Sequence, residues 1–411
     1  MIITLKKSIF LIINSLFGGG AEKLNIELAN AVEIEKVLII EKDISYKNLL
    51  KEKILILSSI KEKDSVLSKY LILLLITLKL TKVFSKNDIV ISSLHRSDIV
   101  NIFSSIFTRH KKILWLHSSL DIYSHSIFAK FNRLLFSNFD YLVFNSENGK
   151  RIFKRNYVGI NDKKLTVIYN FFDMKRIIED SFHILDKDTT NLFKYPTIIS
   201  TGRLEKVKGH YHLLKSFALL KEKQENVKLL ILGDGSLHKS LVEFCKNLNL
   251  KVFKRGLKLT DDYDIYFLGF QKNPFAFYRK ASLLAFSSIS EGFGNVIVEA
   301  MACGTPIVSV DCFSGPREIL APKTDFSKQT ENLEFAEFGI LTPIFEGEIN
   351  FENLEPSPSE AKFTEGLKKI LNDKTLRESY SKKGLTRAMD FDITKMTEKW
   401  KTLILNLQNG N

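Results

Sequence analysis

The first half of the chain alternates short apolar runs with longer stretches of helical periodicity. SIFLIINSL, KVLIIE, KILIL, DIVISS, KILWLHSS, YLVFNSE and LTVIYN read as strands. Helices are expected from Ala21, near 62–82 and through IFAKFNRLLF. Strands apolar on both faces and separated by helices predict a parallel sheet covered on both sides. Between 173 and 194 the pattern lapses into polar, unperiodic sequence ending in a proline, the expected position of a linker. The second half then repeats the logic. TIISTGRL, VKLLILGDG, YDIYFLGF, LLAFSS, PIVSVD and GILTPI read as strands, with helices at 209–223, 237–248 and 274–281 between them. Segments 251–264 and 321–337 are polar and read as surface loops, and the stretch from Pro358 to Leu407 is helical without strands. The expected organisation is an N-terminal doubly wound domain over 1–174, a linker at 175–194, a second such domain over 195–390, and a C-terminal helix at 391–411 returning towards the first domain.

Composition changes this picture little. With 411 residues, 45% hydrophobic and 26% charged, the chain suits two ordinary cores and not a disordered segment. Cys245, Cys303 and Cys312 lack CxxC or Cys/His spacing, so reduced thiols in a cytoplasmic protein and no structural zinc are expected. YLILLLITLKL at 70–80 is too short to cross a bilayer and reads as a buried or interfacial helix. The apolar run near the start resembles a signal peptide, but it ends in glycines and an acid, so a buried first strand is the better reading.

Charge adds more. The net charge is +13, and residues 1–174 hold 26 Lys and Arg against 16 Asp and Glu. Nucleic acid, an anionic lipid surface or a phosphate-bearing substrate would each suit such a half.

Doubly wound sheets bind ligands beyond the carboxyl ends of their strands, so loops that follow strands hold the candidate chemistry. Gly18, Gly19 and Gly20 follow the first strand and open a helix carrying Glu22; no G-x-G-x-x-G is completed there or in LGDGSLHKS at 232–240. In STGRLEKVKGH, Arg203 and Lys208 stand five positions apart in a loop after a strand, a forked donor and a point charge suited to a diphosphate. In SEGFGNVIVEAM, Glu291 lies in a glycine-containing loop and a helix starts near Asn295. The amides of Gly294, Asn295 and Val296 could hold a phosphate or sugar hydroxyl. Glu299, one turn inside, could accept from vicinal ribose hydroxyls, while Glu291 would reach a sugar beyond the phosphates. DYD at 262–264 resembles a metal-binding Asp-x-Asp but is redundant where cations already hold phosphate.

Together these segments resemble the retaining glycosyltransferases of GT-B architecture, family 4, in which two Rossmann-like doubly wound domains face a central cleft. EGFGNVIVE is similar to that family's E-x7-E motif, GRLEKVKG to its Arg/Lys loop and GGGAE to its N-terminal glycine loop. FLGFQKNPFAFYRKA resembles its base-binding strand and following helix, and VIYNFFD the close of its first domain. ACGTPIVSVDCFSGPREIL resembles bacterial members that use UDP-hexosamines or UDP-galactose to build surface polysaccharides. The resemblance implies that Arg203 and Lys208 grip the donor diphosphate, Glu299 the ribose and Glu291 the donor sugar, helped by the amides of Gly294, Asn295 and Val296. It further implies that Gly269 and Phe270 frame the base through their backbone, that Gly19 and Gly20 approach the donor, and that His117 contacts the donor sugar. Glu22 would stand on the acceptor side.

No matched position supplies a carboxylate nucleophile, so same-face transfer is expected, with the leaving diphosphate helping to take the acceptor's proton. No cofactor and no bound metal are expected, and the donor would be a UDP-sugar. TRHKK, AKFNRLLF and GKRIFKRN mix cations with aromatics, suiting docking on the anionic inner face of a membrane and an acceptor that is a lipid-linked glycan, lipopolysaccharide or capsule precursor. No nucleic-acid module is recognisable. A UDP-sugar 2-epimerase of the same fold and a non-catalytic donor-binding subunit are the alternatives.

Overall fold

The structure, a computed structural model, describes residues 8–15, 20–41, 53–60, 65–117, 129–254 and 256–409. The chain divides into two compact units, Met1–Phe171 with Ile393–Asn411, and Phe172–Asp392.

The first unit runs β1 (Ile9–Ile13), α1 (Gly20–Ala31), β2 (Lys36–Glu41), β3 (Ile54–Ile60), α2 (Val66–Leu80), β4 (Ile89–Ser93), α3 (His95–Thr108), β5 (Lys111–Leu116), α4 (Ala129–Ser137), β6 (Tyr141–Phe144), α5 (Glu147–Asn156) and β7 (Leu165–Val167). Its strands form one parallel sheet in the order β3-β2-β1-β4-β5-β6-β7. Alternation along the strands sorts their side chains between two cores. Leu11, Ile13, Val37, Ile39, Ile91 and Trp115 pack with α1 and the C-terminal helix Ile393–Asn409. Phe10, Ile12, Leu38, Ile40 and Val90 pack instead beneath Leu73, Ile76 and Leu80 of α2. Trp400 of the C-terminal helix meets Trp115 edge to face, with ring centroids 5.0 Å apart and both indoles buried.

The second unit opens with α6 (Met174–Ser181) and α7 (Lys187–Leu192) and continues β8 (Thr197–Thr201), α8 (His210–Lys221), β9 (Lys228–Leu232), α9 (His238–Asn247), β10 (Val252–Lys254), β11 (Ile265–Phe267), α10 (Phe275–Lys280), β12 (Leu283–Phe286), α11 (Asn295–Ala302) and β13 (Ile307–Val310). It closes with α12 (Pro316–Leu320), β14 (Glu334–Phe335), β15 (Ile340–Thr342), α13 (Pro358–Asn372) and α14 (Lys374–Ala388). The sheet order is β10-β11-β9-β8-β12-β13-β15-β14, parallel except for the edge pair β14–β15.

Three stretches differ from the sequence expectation. The segment expected as a linker carries α6 and α7, whose Asp173 and Asp186 side chains cap Arg176 N–H and Thr189 N–H at 3.0 and 2.9 Å. Asn273 donates to Asp180 O at 2.8 Å, fastening α6 within the second unit. These helices are too short to establish a visible 3.6-residue period, which is why composition alone made them a linker. The polar segments 251–264 and 321–337 each contain an edge strand, β10 and β14. An edge strand packs less side chain than a central one and so carries a weaker apolar signal.

Phe136 of AKFNRLLF and Phe153 of GKRIFKRN are also placed differently. Phe136 and Phe153 are core residues, in edge-to-face contact at 5.2 Å, and cannot enter a lipid interface. Exposed apolar surface lies instead on α2 and α3, at Leu71, Leu74, Leu75 and Leu78 and at Ile106 and Phe107. Among the described residues no helix is long and apolar enough to cross a membrane.

Candidate functional site

In the second sheet the connection order reverses between β8 and β12, so the loops after these two strands flank the crevice at the carboxyl edge. After β8 the chain makes a 3-10 turn at Lys206–Lys208 and enters α8 through Gly209, with φ of +65°. A Cβ at Gly209 would stand 2.0 Å from Ser287 O, so only glycine lets the β8 and β12 loops approach this closely. Ser287 Oγ donates to Lys208 O at 2.8 Å, and Ile289 N–H donates to Val207 O at 2.9 Å. The two loops are thereby laced through their backbones.

Across that seam Lys208 Nζ donates to Glu291 Oε1 at 2.5 Å, with the two side chains 22% and 13% exposed. Arg203, in the same loop, is exposed. Gly294 adopts φ of +93° as the residue before α11, a conformation that directs the chain from the Glu291 loop into the helix. Asn295 and Val296 occupy the first turn of the helix. Glu299 is half-buried on α11. Burial first, and the Glu299 carboxylate second, push the Tyr278 hydroxyl and Cys303 thiol upward, so both are neutral.

The neighbouring loops join this edge. Leu204 N–H donates to Asp234 O at 2.9 Å, and Gly233 N–H donates to Gly269 O at 2.9 Å. Phe270 N–H donates to Asp234 Oδ2 at 3.3 Å while the residue is 71% exposed. Ser236 N–H and Oγ donate to the Glu205 carboxylate at 3.1 and 2.8 Å, holding it below the usual range. Arg203, Lys208, Gly269, Phe270, Glu291, Gly294, Asn295, Val296 and Glu299 thus lie on loops and helix starts of one sheet edge within the second unit.

The remaining candidates belong to the first unit. His117 follows β5 and packs against Trp115 with ring centroids 4.3 Å apart and the planes tilted by 46°, and neither ring nitrogen has a hydrogen-bond partner among the described residues. Burial lowers its pKa to about 3, so the ring is neutral. Gly20 opens α1 and Glu22 lies in its first turn, whereas Gly18 and Gly19 lie outside the described residues.

DYD stands at the amino end of β11, opposite the edge that carries the other candidates. Asp264 is taken up by Lys221 at 2.7 Å and by Lys251 N–H at 2.9 Å. Among the described residues no group of three or more His, Cys, Asp or Glu side chains could hold a metal ion.

Two features escaped the sequence reading. His210, first residue of α8, is buried beside Lys208 with neither ring nitrogen partnered among the described residues; burial, then the Lys208 charge, lower its pKa to about 4. The first unit also has a cavity of 560 Å³ at its own switch point between β1 and β4, lined by Asn14, Glu41, Lys69, Tyr70, His95 and Arg96 among others. The available signal was position: HRSD follows the strand DIVISS after the single residue Leu94.

The chain is similar to known proteins. Residues 184–331 match the family described as "Glycosyl transferases group 1". An uncharacterized glycosyltransferase of Methanocaldococcus jannaschii is 32% identical over 374 residues, 86% of this chain and 88% of that protein. A Campylobacter jejuni N-acetylgalactosamine-N,N'-diacetylbacillosaminyl-diphospho-undecaprenol 4-alpha-N-acetylgalactosaminyltransferase is 32% identical over 263 residues, 64% of this chain and 59% of that one. Anabaena HepE, solved in complex with UDP, superposes with a TM-score of 0.75 at 18% identity, covering 97% of this chain and 100% of its own. The α/β fold with two parallel-sheet domains is that of the GT-B glycosyltransferases, and the chain belongs to the glycosyl transferases group 1, a family of glycosyl-transferring enzymes.

Proposed function

We propose that this glycosyltransferase is a retaining, family 4 enzyme that moves a hexose or N-acetylhexosamine from a UDP-sugar to a lipid-linked glycan, lipopolysaccharide or capsule precursor. The observation that carries this reading is the Lys208–Glu291 pair, set by two laced loops at the switch point of the second sheet. UDP in the HepE complex and the diphospho-undecaprenol acceptor named for the Campylobacter relative support the donor and acceptor classes.

In this mechanism Lys208 and Arg203 face the donor diphosphate. Glu291 fixes the direction of the Lys208 ammonium and leaves its other N–H groups for phosphate oxygens. As the glycosidic bond breaks, charge grows on the leaving diphosphate, and the two cations stabilise it more than they stabilise the ground state. The diphosphate then takes the acceptor hydroxyl's proton on the same face, so configuration is retained. Glu299 holds the ribose, Glu291 and the Gly294, Asn295 and Val296 amides meet the donor sugar and phosphate end, and Gly269 and Phe270 frame the base. Gly19 and Gly20 approach the donor, and Glu22 serves the acceptor side. His117, neutral, offers one donor and one acceptor nitrogen to the donor sugar.

Transfer needs no cofactor or bound metal, because the cations neutralise the diphosphate. The protein works at the inner face of the plasma membrane, docked peripherally through the exposed leucines of α2 and the neighbouring Lys79 and Lys82.

The test is incubation with a panel of UDP-sugars, with and without a lipid-linked acceptor, reading UDP release and product anomer. Slow hydrolysis of one donor and an acceptor-dependent product of unchanged anomeric configuration are expected. An epimer formed without acceptor would assign the site to a 2-epimerase instead.

A further inference from the structure

The loop after β13 reaches the same carboxyl edge as the Glu291 loop, because β13 pairs in parallel with β12. It runs from Asp311 to Gly315, ahead of α12, and its first residue is held from four sides. Asp311 N–H donates to Thr342 O at 2.9 Å, and Gln329 Nε2 donates to Asp311 O at 2.6 Å. The Asp311 carboxylate accepts from Arg317 Nε at 3.0 Å and Nη2 at 2.5 Å, and from Thr330 N–H at 2.7 Å. Arg317, itself buried, is anchored in turn to Glu334 of β14 at 2.7 Å.

The far end of the loop is pressed against the Glu291 loop. Gly315 has φ of +101°, and a Cβ there would run into Phe293 O, between Gly292 and Gly294. Ser314 holds φ of +78° while 4% exposed, a left-handed conformation that serine seldom adopts. Such strain persists only where the surroundings impose it, and it gathers at ligand sites. Cys312 lies within reach of Glu291: burial first, and that carboxylate second, push its thiol upward. Phe313 alone in this loop faces water. Asp311, Cys312, Ser314 and Gly315 are buried, yet Phe313 between them is 49% exposed. A loop fixed at both ends and strained at its turn thus presents one aromatic residue at the edge that carries Lys208 and Glu291.

An aromatic ring so placed discriminates between sugars by their substituents. A hydroxyl set against it loses water and gains no hydrogen bond, whereas a methyl group set against it leaves water at a gain. We propose that Phe313 is a specificity-determining residue of the donor site, which packs against the methyl of an acetamido group and so selects a UDP-N-acetylhexosamine over the matching UDP-hexose. Glu291 accepts from hydroxyls of the same sugar, so the carboxylate reads its polar substituents and the ring its apolar one. The proposal rests on the reading of this edge as a UDP-sugar site and narrows the transferred sugar to one class.

The test is calorimetric titration of the full chain, wild type, Phe313→Ala and Phe313→Leu, with UDP and with two matched pairs of donors. The pairs are UDP-N-acetylglucosamine with UDP-glucose, and UDP-N-acetylgalactosamine with UDP-galactose. The wild type is expected to bind the acetylated member of at least one pair roughly tenfold more tightly, the lower end of the discrimination that one methyl-sized group supports. Phe313→Ala should bring that ratio close to one, and Phe313→Leu, which keeps an apolar surface, should retain most of it. UDP affinity should be equal in all three proteins, because the uridine and diphosphate do not meet the ring. A wild type that binds the hexose donors as tightly as the acetylated ones, or a Phe313→Ala ratio equal to the wild-type ratio, overturns the proposal. A wild type that binds no UDP would instead sink the donor-site reading, so the two failures are separable.

Discussion

Lys208→Ala tests the donor site most directly. Among the described residues the Lys208 side chain bonds Glu291 alone, at 2.5 Å, while its backbone is held independently by Ser287 Oγ at 2.8 Å and through its own N–H to Glu205 O at 3.0 Å. Truncation should therefore leave the loop in place. Glu291, 13% exposed, loses its partner, and a stranded carboxylate of this kind costs on the order of 1 to 3 kcal/mol of folding stability. The catalytic effect is larger if the ammonium faces charge that develops as the diphosphate leaves. Removing one such stabilising group costs about 2 to 4 kcal/mol of transition-state stabilisation, roughly 30- to 1000-fold in turnover. The assay is steady-state UDP release with the donor identified in the panel, alongside thermal unfolding. A fall in kcat with KM changed only a few-fold is the expected signature of an interaction made chiefly in the transition state. Glu291→Gln and the double variant complete a cycle, and non-additive loss is expected because the two groups share a bond. A Lys208→Ala enzyme that folds and turns over at close to the wild-type rate would falsify the assignment.

Gly209→Ala should be worse than its size suggests: φ of +65° costs about 1 kcal/mol for any other residue, and the new Cβ must move Ser287 O from 2.0 Å. A lowered Tm with reduced turnover is expected; an unchanged Tm would refute the close approach of the two loops. In the second unit Glu360 accepts from Ser357 N–H at 2.6 Å and meets His212 at 2.7 Å and Lys215 at 3.1 Å, with Glu360, His212 and Lys215 deeply buried. Although burial alone would raise its pKa, bonds from His212, Ser357 and Lys215 hold it below the usual range, so its stabilisation is present above the ordinary carboxylate range and is lost as pH falls through the folded value. Glu360→Gln should cost about 3 kcal/mol at neutral pH, with the gap to wild type narrowing in acid; a gap independent of pH contradicts this. His117, lowered to about 3 by burial, binds its proton more readily when unfolded, so the stability it carries is full at neutral pH and lost between the ordinary imidazole range and pH 3. His117→Gln should flatten that part of the stability profile in urea titrations. Turnover in excess chelator should equal turnover without it, and a strict loss restored by a divalent ion would show that metal joins the cations at the diphosphate.

Most of the two sheets was legible because a parallel strand buried on both faces announces itself as an unbroken apolar run, as in IFLII and KLLIL. That Arg203, Lys208, Glu291 and Glu299 would share one sheet edge was legible because the loops after parallel strands all gather at the carboxyl edge. The edge strands β10 and β14 and the short helices α6 and α7 were not, since each buries too little apolar surface to leave a period. The exposed apolar surface was misplaced for a related reason. Phe136 and Phe153 stand among cations in sequence, yet helical geometry turns them onto the sheet, while α2, apolar on every face, gives no sign of which side its sheet covers.

By itself the sequence determined which residues could bear chemistry and which strand each follows, because strand and helix periodicity are local properties of the chain. Only the tertiary structure decided which of them meet. The Lys208–Glu291 bond joins residues 83 positions apart, and it exists because β8 and β12 are neighbours and Gly209 lets their loops touch. The cavity between β1 and β4 likewise exists because strand order, which no local pattern encodes, reverses there.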